Sequence, residues 1–183
     1  MFRTRTMTGV LAAAALICVA TTALTAQKVI DKKPGKAGSP HETVEWTIDG
    51  AKLTVSYGRP YIKGRPLSAV APEGQAYRLG ADEATVLTTD KPLMIGSVMM
   101  QPGKYSLWAV PKAGHWQLVV NKQTGQWGTD YDETQDFGRT LLKAEKAAKA
   151  NEQFTIDLRD TPGGGVISFQ WGTEKLTAEF MIH

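Results

Sequence analysis

Four short stretches hold most of the side chains that could do chemistry: SYGRPYIKGRP (56–66), YRLGADEAT (77–85), GKYSLWAVP (103–111) and NKQTGQWGTDYD (121–132). The arginines come first. Arg59 stands between Gly58 and Pro60, where the chain turns away from a strand, so its side chain falls at a strand end. Arg65 and Arg78 occupy similar loop or strand-edge positions. A guanidinium is a planar fork of donors matched to carboxylate, phosphate or sulfate, and several that converge make an anion site. A structural role competes with this one, in which Arg59 and Arg78 pair with Asp82 or Glu83 and pin loops to the rim of the fold.

Asp82 and Glu83 are adjacent carboxylates, the residue type that flanks the scissile bond in glycosidases. Neighbours on an extended chain point to opposite faces, so Glu83 would need a distant partner such as Asp130 or Asp132. Asp82 and Glu83 are the candidates for acid or base catalysis, and a buried structural Glu83 is the alternative. Trp127 lies between Gly125 and Gly128 outside any alternating run, which makes it a candidate platform for a sugar or a cation. The competing reading folds that ring back over the end of the core.

Metal and nucleophile chemistry find less support. Asp130, Asp132 and Glu133 cluster, but lack the further ligands and central glycine of a calcium loop. His41, His115 and His183 fall in a tether, a turn and the terminus, with no HExxH spacing, so no metal site is expected. There is no GxSxG elbow, and Gly163–Gly165 is a turn rather than a phosphate cradle, because no helix or Walker lysine follows. Nothing calls for a cofactor.

Arg3 and Arg5 precede an apolar run from Val10 to Ala20 that ends in small residues, as in a secretory signal peptide over 1–26. Cleavage after Ala26 or Ala23 is expected, and with it an exported, periplasmic or extracellular protein without a membrane-spanning segment. Losing the two arginines lowers the formal net charge from +3 by two, which leaves no basic field for nucleic acid. The single cysteine, Cys18, goes with the leader, so the mature chain has no disulfide and depends on burial for stability.

Residues 27–42 are rich in Lys, Pro, Gly and Ser without apolar periodicity, and read as a flexible tether. From Thr43 the pattern changes. Val44, Trp46 and Ile48 alternate with polar residues, Asp49-Gly50 makes a hairpin turn, and Leu53, Val55 and Tyr57 repeat the alternation. Short runs of the same kind follow at Val86–Leu87, Leu93–Ile95, Val98–Met100, Tyr105–Val110, Trp116–Val120, Phe154–Leu158, Ile167–Trp171 and Leu176–Ile182. Trp46, Trp108, Trp116 and Trp171 fall on these alternations and belong to the core. One all-β domain over 43–183 results, an antiparallel β-sandwich of jelly-roll-like or flattened-barrel form. Thr140–Asn151, rich in Ala and Lys, prefers helix by propensity. A strand is expected over Arg139–Lys143, followed by an irregular or short helical piece.

The four stretches together resemble a family of exported bacterial domains known as domain of unknown function 2911, from about Thr43 to the C-terminus. Tyr77 and Asp82 stand where that family typically has Trp and Asn, which implies altered contacts at this loop. The resemblance implies a strand at TLLKAEK and no activity. The expectation for function is a non-catalytic binding module whose loop end, Arg59, Arg65, Arg78, Asp82, Glu83 and Trp127, takes a small polar, anionic or carbohydrate-like ligand or an envelope partner. A hydrolase acting on glycans or another envelope component, and a structural envelope protein, are the alternatives.

Overall fold

The computed structural model describes residues 27–183; the expected signal peptide lies outside the described residues. Ten strands form one antiparallel sheet. They are β1 (Lys28–Pro34), β2 (Pro40–Ile48), β3 (Ala51–Gly58), β4 (Thr85–Thr89), β5 (Leu93–Ile95), β6 (Val98–Met100), β7 (Gly103–Lys112), β8 (His115–Asn121), β9 (Asp136–Thr161) and β10 (Gly164–Ile182). Their order is β1-β2-β3-β4-β7-β8-β9-β10-β5-β6, and the ends do not pair with each other among the described residues. A four-residue helix, Leu67–Val70, and a 3-10 turn, Glu133–Gln135, complete the structure.

The alternation read from the sequence is the packing observed. Val44, Trp46, Ile48, Leu53, Val55 and Tyr57 point inward from the β2–β3 hairpin, each at most 2 % exposed. Asp49 and Gly50 both take positive φ, the backbone of a tight two-residue hairpin. The sheet turns over through β9. Its first part pairs with β8 at Asp136–Leu142, and its later part pairs with β10. The two halves therefore face each other around one core that joins Val44 and Trp46 to Phe169 and Trp171. Burying each such side chain contributes roughly 1.5–3 kcal/mol, which suits a chain with no cysteine in its folded part.

β7 is buried on both faces from Tyr105 to Val110. One face joins the main core. The other holds Trp108 and Val110, which pack with Ala84, Val119 and Tyr131 beneath the loops that carry the candidate site. An outer layer of loops is thus fixed to the sheet by its own small apolar cluster.

Two expectations are corrected. Residues 28–34 of the expected tether pair with β2 as an edge strand, and His41 and Glu42 are buried within β2. β1 is exposed throughout, which is why its composition carries no apolar period. Residues 144–151 are strand and not helical, with an irregularity in the pairing between Lys146 and Asn151. Ala144, Glu145 and Lys146 register with Leu176, Lys175 and Glu174 of β10, with ion pairs Lys146–Glu174 and Lys175–Glu145 across the strands. Cross-strand pairing overrides the weak helical preference of this Ala/Lys stretch.

Candidate functional site

The loop 77–84 is held from three sides. Tyr77 bridges to Ala109 of β7, Glu83 bridges to Trp127, and the Gly128 amide donates to the Asp82 carbonyl at 2.8 Å. Leu79 and Asp82 take φ of 50° and 64°, a left-handed backbone that non-glycine residues seldom adopt. At Gly128 a Cβ would lie 1.8 Å from Arg78 Cδ and 2.6 Å from the Asp82 carbonyl oxygen, so only glycine lets the arginine cross there. This is the physical reason for a glycine beside Trp127.

The positive φ at Asp82 undoes an expectation. Asp82 and Glu83 do not splay to opposite faces. Their carboxylates approach one imidazole, with His41 Nε2 at 3.1 Å from Asp82 Oδ2 and 3.8 Å from Glu83 Oε2. Asp82 and His41 are both buried, their side chains 3 % and 7 % exposed. One ligand atom from each of the three residues lies within 4.8 Å of the others.

The turn between β1 and β2 closes over this cluster. The Ala37 amide donates to Asp82 Oδ2 at 3.3 Å, and a Cβ on Gly35 would meet Asp82 Oδ2 at 2.3 Å and His41 Cδ2 at 2.7 Å. Lys36 places its ammonium 3.0 Å from Glu83 Oε1 and 5.6 Å from the centre of the Trp127 ring. The Lys36 hydrogen bond is the main reason the Glu83 carboxyl is held below the usual carboxylate range. Trp127 is half-buried and stacks with a cation, as its lack of a core face suggested, but the cation belongs to this chain.

The three arginines divide. Arg59 turns inward and is fully used: Nη1 donates to Glu42 Oε2 at 3.0 Å, Nε to the Phe154 carbonyl at 3.2 Å, and Nη2 to Thr155 Oγ1 at 3.1 Å. Its acid is Glu42, not Asp82 or Glu83. Arg65 donates to the Ile62 and Tyr61 carbonyls and lies 5.4 Å from the Trp171 ring centre. Arg78 lies over Gly128, and its buried Nε meets no acceptor among the described residues.

Arg65, Arg78 and Asp82 line one open cleft of about 230 Å³, together with Tyr77, Trp171 and the Ala37–Ser39 turn. Trp171 Nε1 is a second buried donor without a partner. Burial pushes the Tyr77 phenol well above the ordinary tyrosine range, while the guanidiniums of Arg78 and Arg65 oppose that shift. Both positive charges therefore act on the same wall of the cleft. A larger hollow of about 700 Å³ opens on β9 and β10, where Lys143, Arg159 and Lys175 balance Glu145, Asp157 and Glu179. It includes none of the six residues expected at the loop end.

The acidic turn around Asp132 is occupied with structure. Asp132 caps the 3-10 turn through the Thr134 amide, and Arg139 binds Glu133, Asp136 and the Tyr131 hydroxyl. The sequence reading missed Lys36 and Glu42 and set His41 aside, because their segment has the composition of a tether. The one available signal was a histidine and glutamate standing directly before an alternating run, at positions 41 and 42.

No curated protein and no solved structure matches the chain. A family model matches residues 39–180, from just before β2 almost to the end of β10, and so takes in all six of the candidate residues. The chain therefore belongs to the family described as protein of unknown function (DUF2911).

Proposed function

We propose that this domain is an exported, non-catalytic binding module for a small anionic ligand, bearing a carboxylate or phosphate, that enters the cleft between Arg65 and Arg78. The observation that carries the reading is the pair of arginines, Arg65 and Arg78, lining one cleft together with Tyr77 and Trp171. A hydrogen bond from a guanidinium to an anionic ligand contributes about 1.5–3 kcal/mol. Trp171 Nε1 offers another donor from a residue of the same cleft. The volume, about 230 Å³, suits a phosphate or a single acidic sugar rather than a long chain. The signal peptide expected over 1–26 supports placing the module outside the cytoplasm, and an N-terminus at Gln27 or Leu24 in the secreted protein is the check.

A thermal-shift series with inorganic phosphate, glucuronate and uncharged glucose tests the reading. Phosphate or glucuronate is expected to raise Tm saturably, glucose to leave it unchanged, and Arg78→Met to abolish the shift. Equal shifts in the wild type and Arg78→Met, or no shift with either anion, would sink it.

A further inference from the structure

Beyond the anion cleft, and independently of it, His41, Asp82 and Glu83 form a cluster with a different chemistry. We propose that these three side chains are the protein ligands of a divalent transition-metal ion of the zinc type, for which the Lys36 ammonium is the competing cation.

The geometry fits. Zinc binds imidazole nitrogen and carboxylate oxygen at about 2.0–2.2 Å, so two ligands on a tetrahedral ion stand roughly 3.3–3.5 Å apart. His41 Nε2 lies 3.1 Å from Asp82 Oδ2 and 3.8 Å from Glu83 Oε2, on either side of that value. One nitrogen and two carboxylate oxygens favour zinc-like ions over calcium, which takes about six to eight oxygens. Three protein ligands leave a fourth position for water or an anion.

One further feature points to a cation there. The cluster already attracts one: Lys36 Nζ sits 3.0 Å from Glu83 Oε1, on a side chain 76 % exposed and free to swing into solvent. Two backbone donors hold Asp82. The Ala37 amide fixes Asp82 Oδ2, and the Gly128 amide fixes the Asp82 carbonyl. A structural account competes, in which a His41–Asp82 pair and a Lys36–Glu83 pair only pin the turn between β1 and β2.

Calorimetric titration of zinc chloride into the chelator-treated protein, in phosphate-free buffer, separates the two. One ion per chain is expected, with His41→Gln and Asp82→Asn each weakening binding by about tenfold or more. Lys36→Met removes the competitor and is expected to tighten binding about two- to fivefold, the amount an exposed ion pair is worth. Lys36 lies on the surface, so this variant reports even if the buried substitutions unfold the protein. Zinc should also move Lys36 off the indole and change the tryptophan emission, a change lost in Trp127→Phe. No binding by the wild type and Lys36→Met up to millimolar zinc would overturn the proposal. So would unchanged affinity in folded His41→Gln and Asp82→Asn, weaker binding by Lys36→Met, or calcium binding as tight as zinc.

Discussion

Replacing Arg59 by Met removes a side chain that ties β2 to β9 and should cost stability without touching the cleft. Three donors are lost, to Glu42 Oε2, the Phe154 carbonyl and Thr155 Oγ1. Glu42, its side chain 8 % exposed, keeps only the Tyr57 hydroxyl at 3.2 Å among the described residues. Breaking a buried pair from one side costs about 3–5 kcal/mol. Arg59 is 21 % exposed at the side chain, so water reaches the gap and about 3 kcal/mol is the expected loss. For a domain of this size that corresponds to a Tm lower by about 6–12 °C. Urea unfolding followed by tryptophan fluorescence reads the change. Glu42→Gln in the Arg59→Met background should cost less than in the wild type, because the stranded charge is the main penalty. Arg78→Met should be near neutral in the same assay, since its Nε forms no internal hydrogen bond among the described residues. A loss under about 0.5 kcal/mol for Arg59→Met, or an equal loss for Arg78→Met, would refute this division of the arginines.

Three other outcomes follow from the same contacts. Tyr57 and Tyr77 titrate well above the usual 10.0, chiefly through burial. Their stabilisation is complete below pH 10, where unfolded tyrosine is also neutral, and is lost as pH rises from there toward the folded-state values; a urea midpoint that stays level between about pH 9 and 11 would contradict it. Gly128→Ala should remove anion binding along with stability, because its Cβ would strike the Asp82 backbone as well as the flexible Arg78 chain, and a variant with wild-type Tm and binding would exclude that packing. Asn121→Ala deletes hydrogen bonds to the Asp132 carbonyl, Asp136 Oδ1 and the Gln123 amide, for a loss of about 3 kcal/mol in urea unfolding, against less than 1 if the loop 122–135 holds itself.

The fold was legible where packing follows period. Val44, Trp46 and Ile48 announce β2 because every second residue meets the core, and Asp49-Gly50 fixes the turn because both residues take positive φ. β1 was not legible: a strand paired on one edge and exposed on both faces uses backbone hydrogen bonds, which leave no pattern in residue type. Residues 144–151 misled for a related reason, since Ala144, Glu145 and Lys146 are held by register with β10 and not by burial, and the pairing shifts between Lys146 and Asn151. At the site, Arg65, Arg78 and Asp82 share one cleft, while Arg59 is spent on Glu42 and Trp127 sits with Glu83 and Lys36. The convergence of His41 with Asp82 and Glu83 depends on a left-handed φ at Asp82. An alternation argument assumes extended backbone and is blind to that turn.

The most direct measurement is the Arg78 Nε–H resonance in a proton–nitrogen spectrum, assigned by comparison with Arg78→Met and followed as glucuronate or phosphate is added. A saturable shift of Arg78 with Arg59 unmoved is the predicted result. An Arg78 signal that stays fixed while anion rises to millimolar levels would contradict the account of this cleft as a binding site.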